Sequence, residues 1–289
     1  MTEQNTTTIP GLTWYGSGQS ALHGDLLERF RQIDLMFVRI AESFRATDIA
    51  LPPLISVHQL QKIDYFSSFP HLFTAAVALD PEEANLRLFK ATAGESSNGL
   101  QLTELAPVTE VLVPAACYPL YIHIQGTEVA PSAIFTTRAN CFRREKEYVP
   151  LKRQWGFTMR EIICIGSETE VRAFLDSSRS MLNRLFAKLS LDVSWEQATD
   201  PFFDPGTNPR YVMQRVDPVK FEMIRSGLSI GSVNFHRQYF GEAFKIEHDG
   251  GPAFSGCVAF GLERWLWALL DQFGSDLHRW PDLSAEVVV

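Results

Sequence analysis

The second half of the chain is dominated by strand-like runs that follow one another without the helices a parallel sheet requires. Apolar and β-branched residues mark such runs at 134–142, 157–167, 220–235 and 254–260, and the third range holds two runs. Between the second and third ranges, residues 168–189 carry apolar side chains at helical spacing. Parallel strands need a crossover of a dozen or more residues, usually a helix. The pattern therefore predicts an α+β fold, in which a largely antiparallel β-sheet is flanked by helices.

The N-terminal part predicts a leader, one long helix and an edge strand. Residues 1–17 begin with a polar, threonine-rich stretch and are predicted to be a disordered leader, so that residues 18–289 form a single domain. Leucine, isoleucine and phenylalanine recur at helical spacing over 18–44 and predict an amphipathic helix. The apolar run 49–55 contains two prolines, which remove ladder donors, so it is predicted to be an edge or interface strand.

Charge and hydropathy argue against two classes of partner. The 289 residues carry a net charge of −8, and neutralising a polyanion such as tRNA requires an excess of lysine and arginine. No run approaches the roughly 18 apolar residues that span a bilayer, and the polar N-terminus lacks the apolar core of a secretory signal. These features predict a cytoplasmic protein with no membrane partner, whose cysteines stay reduced.

Two short segments combine residue types that suit a nucleotide. The first is Phe-Arg-Arg-Glu at 142–145, followed by a charged loop and Phe157; the second is Gly-Leu-Glu-Arg at 261–264. The planar fork of arginine binds two phosphate oxygens at once, a carboxylate accepts from an amine such as that of adenine, and a phenyl ring can stack on a base. Either segment alone is more often a solvated loop or an ordinary helix start.

Taken together and in this order, the two segments resemble motifs 2 and 3 of the class II aminoacyl-tRNA synthetases. The resemblance implies that fold for the catalytic domain, with Arg143 on the α-phosphate of ATP and Glu145 on the adenine amine. It places Phe157 on one face of adenine, Arg264 on the other face or on the γ-phosphate, and Arg153 on the terminal phosphates. In-line attack of a carboxylate on the α-phosphorus needs positioning and charge neutralisation by arginines and Mg²⁺, and no nucleophilic side chain. The helix 18–44 and the proline-rich run that follows it resemble motif 1, and this resemblance implies a homodimer.

The segment 228–234, Leu-Ser-Ile-Gly-Ser-Val-Asn, resembles the strand before motif 3 in seryl-tRNA synthetases. In that group a glutamate and a serine bind Mg²⁺ and phosphate. Ser229 stands where the glutamate is expected, with Ser232 and Asn234 after it, and a serine is a weak Mg²⁺ ligand. Glu222 is a nearby substitute. The resemblance assigns Ser229 and Ser232 to ATP and Asn234 to the substrate.

Three residues are similar to a zinc site in the archaeal-type seryl-tRNA synthetases. Cys117, Glu161 and Cys257 lie 44 and 96 residues apart, so spacing alone predicts no metal, and buried structural cysteines are the alternative. The resemblance implies that the three hold Zn²⁺ with one position open to the substrate amine, which is the arrangement of catalytic zinc. Cys141 and Cys164 have no such counterpart and are predicted to lie in the core.

With motif 1 starting near residue 18 and motif 3 followed only by residues up to 289, the sequence is expected to lack a tRNA-binding domain, and this shortened form resembles the amino acid:[carrier protein] ligases. That family adenylates a small amino acid, with glycine or alanine favoured, and passes it to the phosphopantetheine thiol of a carrier protein. The resemblance would place Asp200 near the substrate amine, although a turn role before Pro201 is an alternative. Two other functions remain open: aminoacylation of another acceptor, such as tRNA in trans, a small amine or a protein, and a non-catalytic module that binds amino acid or ATP.

Overall fold

The computed structural model of the protein describes residues 9–94 and 99–284. Its helices are α1 (Gly24–Ser43), α2 (Val57–Gln61), α3 (Tyr65–Ser68), α4 (Glu83–Thr92), α5 (Tyr118–His123), α6 (Glu168–Leu189), α7 (Pro209–Val216), α8 (Tyr239–Phe244) and α9 (Leu262–Phe273), with a 3₁₀ turn at Leu277–Arg279. Its strands are β1 (Leu12–Tyr15), β2 (Gln19–Leu22), β3 (Thr47–Asp48), β4 (Leu54–Ser56), β5 (Ala75–Ala76), β6 (Glu110–Leu112), β7 (Ala133–Phe142), β8 (Gly156–Gly166), β9 (Ser194–Gln197), β10 (Lys220–Arg225), β11 (Leu228–Arg237), β12 (Glu247–His248), β13 (Gly251–Pro252) and β14 (Phe254–Gly261).

Within these residues, seven strands form the central sheet in the order β3-β7-β8-β14-β11-β10-β9. Every neighbouring pair is antiparallel except β3 and β7, which are parallel. The predicted α+β architecture, an antiparallel sheet with flanking helices, is confirmed. The long runs predicted as strands at 134–142, 157–167 and 254–260 are β7, β8 and β14, each shifted by one residue or less at either end.

Two hydrophobic cores cover the two faces of this sheet. One face packs against α1, α6 and α9, and there Phe37 stacks on Phe260 with ring centroids 3.8 Å apart. The other face packs against α5, α8 and a small sheet of order β4-β6-β5. The apolar run at the end of β8 is buried on both faces because successive side chains point in opposite directions: Ile162 joins the first core and Ile163 the second.

Helix α6 has the bounds that its sequence predicts, because both of its ends are specified locally. Ser167 accepts a hydrogen bond from the Glu170 amide, and the Glu170 carboxylate accepts one from the Ser167 amide, which completes a capping box. Ser190 adopts a left-handed conformation at the other end and stops the helix. The apolar stripe between these ends packs on β8, β11 and β14.

The N-terminus differs from its prediction. Residues 1–8 of the predicted leader lie outside the described part of the chain, but the rest of 1–17 includes β1, which pairs with β2 in a hairpin. The predicted helix 18–44 therefore begins at Gly24, and residues 19–22 are a strand instead. Gly18 turns the hairpin with φ +85°, and a Cβ there would lie 2.6 Å from the Tyr148 ring, so the turn requires glycine.

The proline-rich run 49–55 is mostly irregular, which differs from the predicted continuous strand. Only its end enters β4, which lies at the edge of the small sheet, where missing amide donors are tolerated. None of the helices within residues 9–94 and 99–284 combines the length and apolarity that a transmembrane span needs.

Glu263 joins α9 to β8 through a buried carboxylate. Both of its oxygens accept from the Thr158 amide at 2.9 Å, and burial raises the pKa of Glu263 to about 7. Since the unfolded pKa is lower, the folded chain binds the extra proton between about pH 4.5 and 7, and the free energy of unfolding falls as pH rises through that window.

We expect Glu263→Gln, which keeps one acceptor oxygen and removes the charge, to be more stable than wild type at pH 8. The advantage should reach up to about 3 kcal/mol, because each pKa unit corresponds to about 1.4 kcal/mol, and it should shrink towards pH 5. Urea unfolding of both proteins at the two pH values measures it, with the exposed Glu168→Gln as control. A stability difference between Glu263→Gln and wild type that is the same at pH 5 and pH 8 would contradict the assignment.

Candidate active site

A cavity of about 680 Å³ lies over the face of the central sheet that carries α5 and α8. Antiparallel pairing brings residues far apart in sequence into neighbouring rows on this face. Two adjacent rows that line the cavity are Glu161–Ala259–Ser232–Glu222 and Cys257–Asn234–Lys220. The register of four strands therefore brings together five of the polar residues that the sequence singled out, namely Glu161, Glu222, Ser232, Asn234 and Cys257.

One end of the cavity holds the residues predicted to bind the nucleotide. The Arg143 guanidinium lies 5.4 Å from the centre of the Phe157 ring, and its Nε donates to Pro114 O at 2.9 Å. These two residues are close because Phe157 pairs with Cys141 across β7 and β8. Glu145 lies in the same cavity and pairs with Arg153 at 3.2 Å. An aromatic face, a carboxylate and cationic groups thus share one end of the cavity.

Arg264 enters this end from the start of α9. Its Nε donates to Lys152 O at 2.8 Å and its Nη1 to Ser229 O at 2.9 Å, so backbone carbonyls hold the guanidinium in place. Burial, together with the neighbouring charges of Arg143 and Arg153, lowers the pKa of Arg264 to about 10, and the group remains cationic at neutral pH. Three arginine charges close together create a site for a polyanion.

The two serines predicted to contact ATP are engaged with their own strand. Ser229 Oγ donates to Gly231 O at 3.3 Å, and Ser232 Oγ accepts from Asn234 Nδ2 at 2.9 Å. Glu222 lies directly opposite Ser232 on β10 and also lines the cavity. A carboxylate and a hydroxyl side by side are hard oxygen donors of the kind that Mg²⁺ prefers.

The deep part of the cavity holds Cys117, Glu161 and Cys257, whose ligand atoms all lie within 4.8 Å of one another. Cys117 precedes α5, and the other two lie on adjacent strands, where Cys257 is two residues from Ala259, the pairing partner of Glu161. Glu161 Oε1 accepts from the Cys117 amide at 3.3 Å. Its buried Oε2 has no hydrogen-bond partner in the described part of the chain, which is a costly arrangement for a carboxylate unless another ligand is provided.

Electrostatics also favours a cation at this cluster. Burial raises the pKa of Glu161, and the hydrogen bond to Cys257, followed by burial, raises the pKa of Cys117. Burial in a low dielectric disfavours the anionic form of each of these acidic groups. A divalent cation bound by the three groups would instead favour their anionic forms. Two sulfurs and one carboxylate oxygen fit Zn²⁺ in a site with one open position, so the residues present suit this metal.

Asp200 faces the same cavity from the loop before α7. Its Oδ1 accepts from Lys220 Nζ at 3.1 Å and its Oδ2 from Gln214 Nε2 at 2.9 Å, while its amide donates to Gln214 Oε1 at 2.8 Å. Burial alone would raise the pKa of Asp200, but Lys220 and Gln214 outweigh it and the pKa lies below its ordinary value. The Asp200 backbone also forms a turn with Phe202, so the side chain lines the cavity and the main chain serves the turn.

Sequence reasoning missed Lys220, Gln214 and His236, all of which line the cavity. The sequence pattern could have identified His236, because this residue continues the alternation of Ser232 and Asn234 along β11. Nothing local identified Lys220 or Gln214, since their partner Asp200 lies 20 and 14 residues away.

Comparison with known proteins places the chain among synthetase-like ligases. No protein-family model matches it. It is 34% identical over 242 residues to amino acid--[acyl-carrier-protein] ligase 1 of Bradyrhizobium diazoefficiens, covering 81% of this chain and 73% of that protein. It is 26% identical to the type-2 serine--tRNA ligase of Methanococcus maripaludis, covering 94% and 57%. The solved complex of A. aeolicus tRNASec with M. kandleri SerRS shares the fold, with a TM-score of 0.78 at 19% identity over 95% of this chain and 57% of that one.

Proposed function

The chain belongs to the amino acid--[acyl-carrier-protein] ligase family, and from this premise we propose that it activates a small amino acid with ATP and transfers it to a carrier-protein thiol. One observation carries the proposal: a single cavity holds Arg143 and Arg264 beside Phe157 at one end and the Cys117, Glu161 and Cys257 cluster at the other, and Arg153 adjoins the first end through its ion pair with Glu145. The arginine end suits a nucleoside triphosphate, and the cysteine and glutamate cluster, once it holds a metal, suits an amine. A substrate with an amine and a carboxylate fits between them.

The arginine end would perform the adenylation step. Arg143 would hold the α-phosphate, Arg264 and Arg153 the phosphates beyond it, and Phe157 and Glu145 the adenine. The amino acid carboxylate attacks the α-phosphorus, a P–O bond forms to the substrate, and the bond to the β-phosphate breaks with release of pyrophosphate. The Glu145–Arg153 pair costs little to separate, because the Arg153 side chain is half exposed. Fixed cations where charge develops lower the barrier without a protein nucleophile.

Two metals belong to this proposal. Zn²⁺ held by Cys117, Glu161 and Cys257 would offer its open position to a neutral amine, which distinguishes an amino acid from a simple carboxylic acid. Mg²⁺ accompanying ATP would neutralise phosphate charge, with Glu222 and Ser232 as candidate oxygen donors. The Ser229 hydroxyl stays with its own strand, and the carbonyl of Ser229 positions Arg264.

The second step would need no further catalytic group from the chain. The aminoacyl-adenylate is a mixed anhydride, so the carrier thiolate attacks its carbonyl carbon, a thioester C–S bond forms, and AMP leaves. Asp200, anchored by Gln214 and Lys220, would face the substrate amine, and Asn234 would line its pocket. Glycine or alanine is the proposed substrate. The homodimer implied by motif 1 stays a prediction.

The acceptor is tested by offering the enzyme labelled amino acid and ATP together with holo-carrier protein, apo-carrier protein or tRNA. We expect acid-precipitable label on the holo-carrier alone, released by hydroxylamine as a thioester. The apo-carrier lacks the thiol and is the matched control. Label on tRNA with none on the holo-carrier would contradict the carrier proposal and favour the type-2 serine--tRNA ligase relatives as the better guide.

A further inference from the structure

Two side-chain nitrogens on β11 lie against one sulfur of the proposed metal cluster. Asn234 Nδ2 donates to Cys257 Sγ at 3.4 Å, and His236 Nε2 lies 3.7 Å from the same sulfur. Both side chains reach the cavity because residues two apart in a strand share a face. Sulfur accepts hydrogen bonds at longer distances than oxygen, so both contacts are within bonding range for N–H donors.

The other ring nitrogen of His236 is held by hydroxyl groups. His236 Nδ1 lies 3.1 Å from the Tyr121 hydroxyl and 3.4 Å from Ser255 Oγ. Tyr121 is fully buried, and its ring packs edge-on to the imidazole. A hydroxyl can donate to Nδ1, which leaves the ring proton on Nε2 and aimed at the sulfur. The alternative tautomer would direct a lone pair at Cys257, which a thiolate cannot complement.

The charge of the cluster explains why such donors matter. Two thiolates and a carboxylate carry three negative charges, and a divalent cation leaves one of them uncompensated. N–H groups directed at a thiolate spread that excess charge in a site where water has little access. Groups that orient or polarise metal ligands in this way typically change metal affinity 10- to 100-fold when they are removed.

We propose that His236 is a positioning residue for the metal centre, donating through Nε2–H to the Cys257 thiolate while Tyr121 fixes its tautomer. The inference rests on the metal site proposed above. It assigns His236 a role through Cys257 and not through the reacting atoms of the substrate.

The test compares His236→Phe with wild type in the full chain, after removal of metal and reconstitution with Zn²⁺ or Co²⁺. We expect Zn²⁺ affinity, measured by competition with a chromogenic chelator, to fall about 10- to 100-fold. The thiolate-to-cobalt charge-transfer band should move to longer wavelength, because a thiolate that has lost a donor gives up electron density more easily. Neither readout depends on enzymatic activity.

Two further variants complete the design. Tyr121→Phe removes a single hydroxyl and should shift both readouts in the same direction but less, so it carries the test if His236→Phe does not fold. His248 is another buried histidine, whose Nδ1 lies 3.2 Å from Val129 O, and His248→Phe should leave both readouts unchanged. Wild-type readouts in both His236→Phe and Tyr121→Phe would overturn the inference and leave the proposed metal site standing. A wild-type chain that binds neither ion would overturn both.

Discussion

Replacing Arg143 with alanine is expected to lower amino-acid-dependent ATP–pyrophosphate exchange by about 1,000-fold, without a comparable loss of stability. Removing one preorganised group that faces developing charge typically costs 10²- to 10³-fold in rate, and Arg143 stands beside Phe157 at the end of the cavity that suits ATP. Arg143→Lys keeps the charge but loses the planar fork, so we expect an intermediate loss. Steady-state exchange kinetics and thermal unfolding measure the two effects separately.

The neighbouring Arg144 provides the matched control. Its guanidinium lies over the Trp155 ring at 4.8 Å and bonds the Tyr148 hydroxyl, on the outer side of the same loop. Arg144→Ala should change exchange by no more than a few fold. Equal losses in the Arg143 and Arg144 variants would show that the loop as a whole matters and that Arg143 has no special contact with phosphate.

The second large effect concerns the metal cluster. We expect the purified wild-type chain to contain one zinc ion per chain, and Cys117→Ala to lose it together with at least about 100-fold of its exchange activity. The substrate amine would then lose its anchor, so KM for the amino acid should rise while KM for ATP changes little. Metal content by mass spectrometry and exchange kinetics with varied amino acid test this.

Cys164→Ala is the control for removal of a buried thiol. Cys164 lies on β8 but belongs to the opposite core, which contains residues of α1 and α6, and the variant should keep both metal and activity. A Cys117→Ala protein that holds no metal yet retains full activity would remove zinc from the proposed function. The arginine end of the cavity would be unaffected by that result.

Part of the nucleotide end of the site follows from local sequence pattern, because Arg143 and Phe157 are close along the chain, whereas Arg264 reaches the same end from α9. Arg143 and Phe157 flank one loop between two paired strands, so a strand-loop-strand pattern is enough to bring them together. The deep cluster was not predictable in that way. Its members are 44 and 96 residues apart, and they meet through the register of β8 on β14 and the position of α5, neither of which the spacing encodes. The resemblance to a family grouped these three residues as a metal site, which the local sequence pattern could not do.

The two predictions that were wrong near the N-terminus, the absence of a hairpin and the start of the first helix, also have physical causes. The N-terminal hairpin was missed because its turn depends on Gly18 meeting the Tyr148 ring, 130 residues further on. The start of α1 was predicted too early because Ala21 and Leu22 also fit a helical pattern, and their pairing with β1 makes them part of a strand. Helix α6, in contrast, is specified by its own cap residues, and its bounds could be predicted from sequence.

The most direct test of the proposed function is ATP–pyrophosphate exchange by the purified full chain, measured with each amino acid in turn. The proposal predicts exchange that depends on a small amino acid, strongest with glycine or alanine, and absent with acetate, which lacks the amine. Absence of exchange with every amino acid would contradict the central claim that this chain forms an aminoacyl-adenylate.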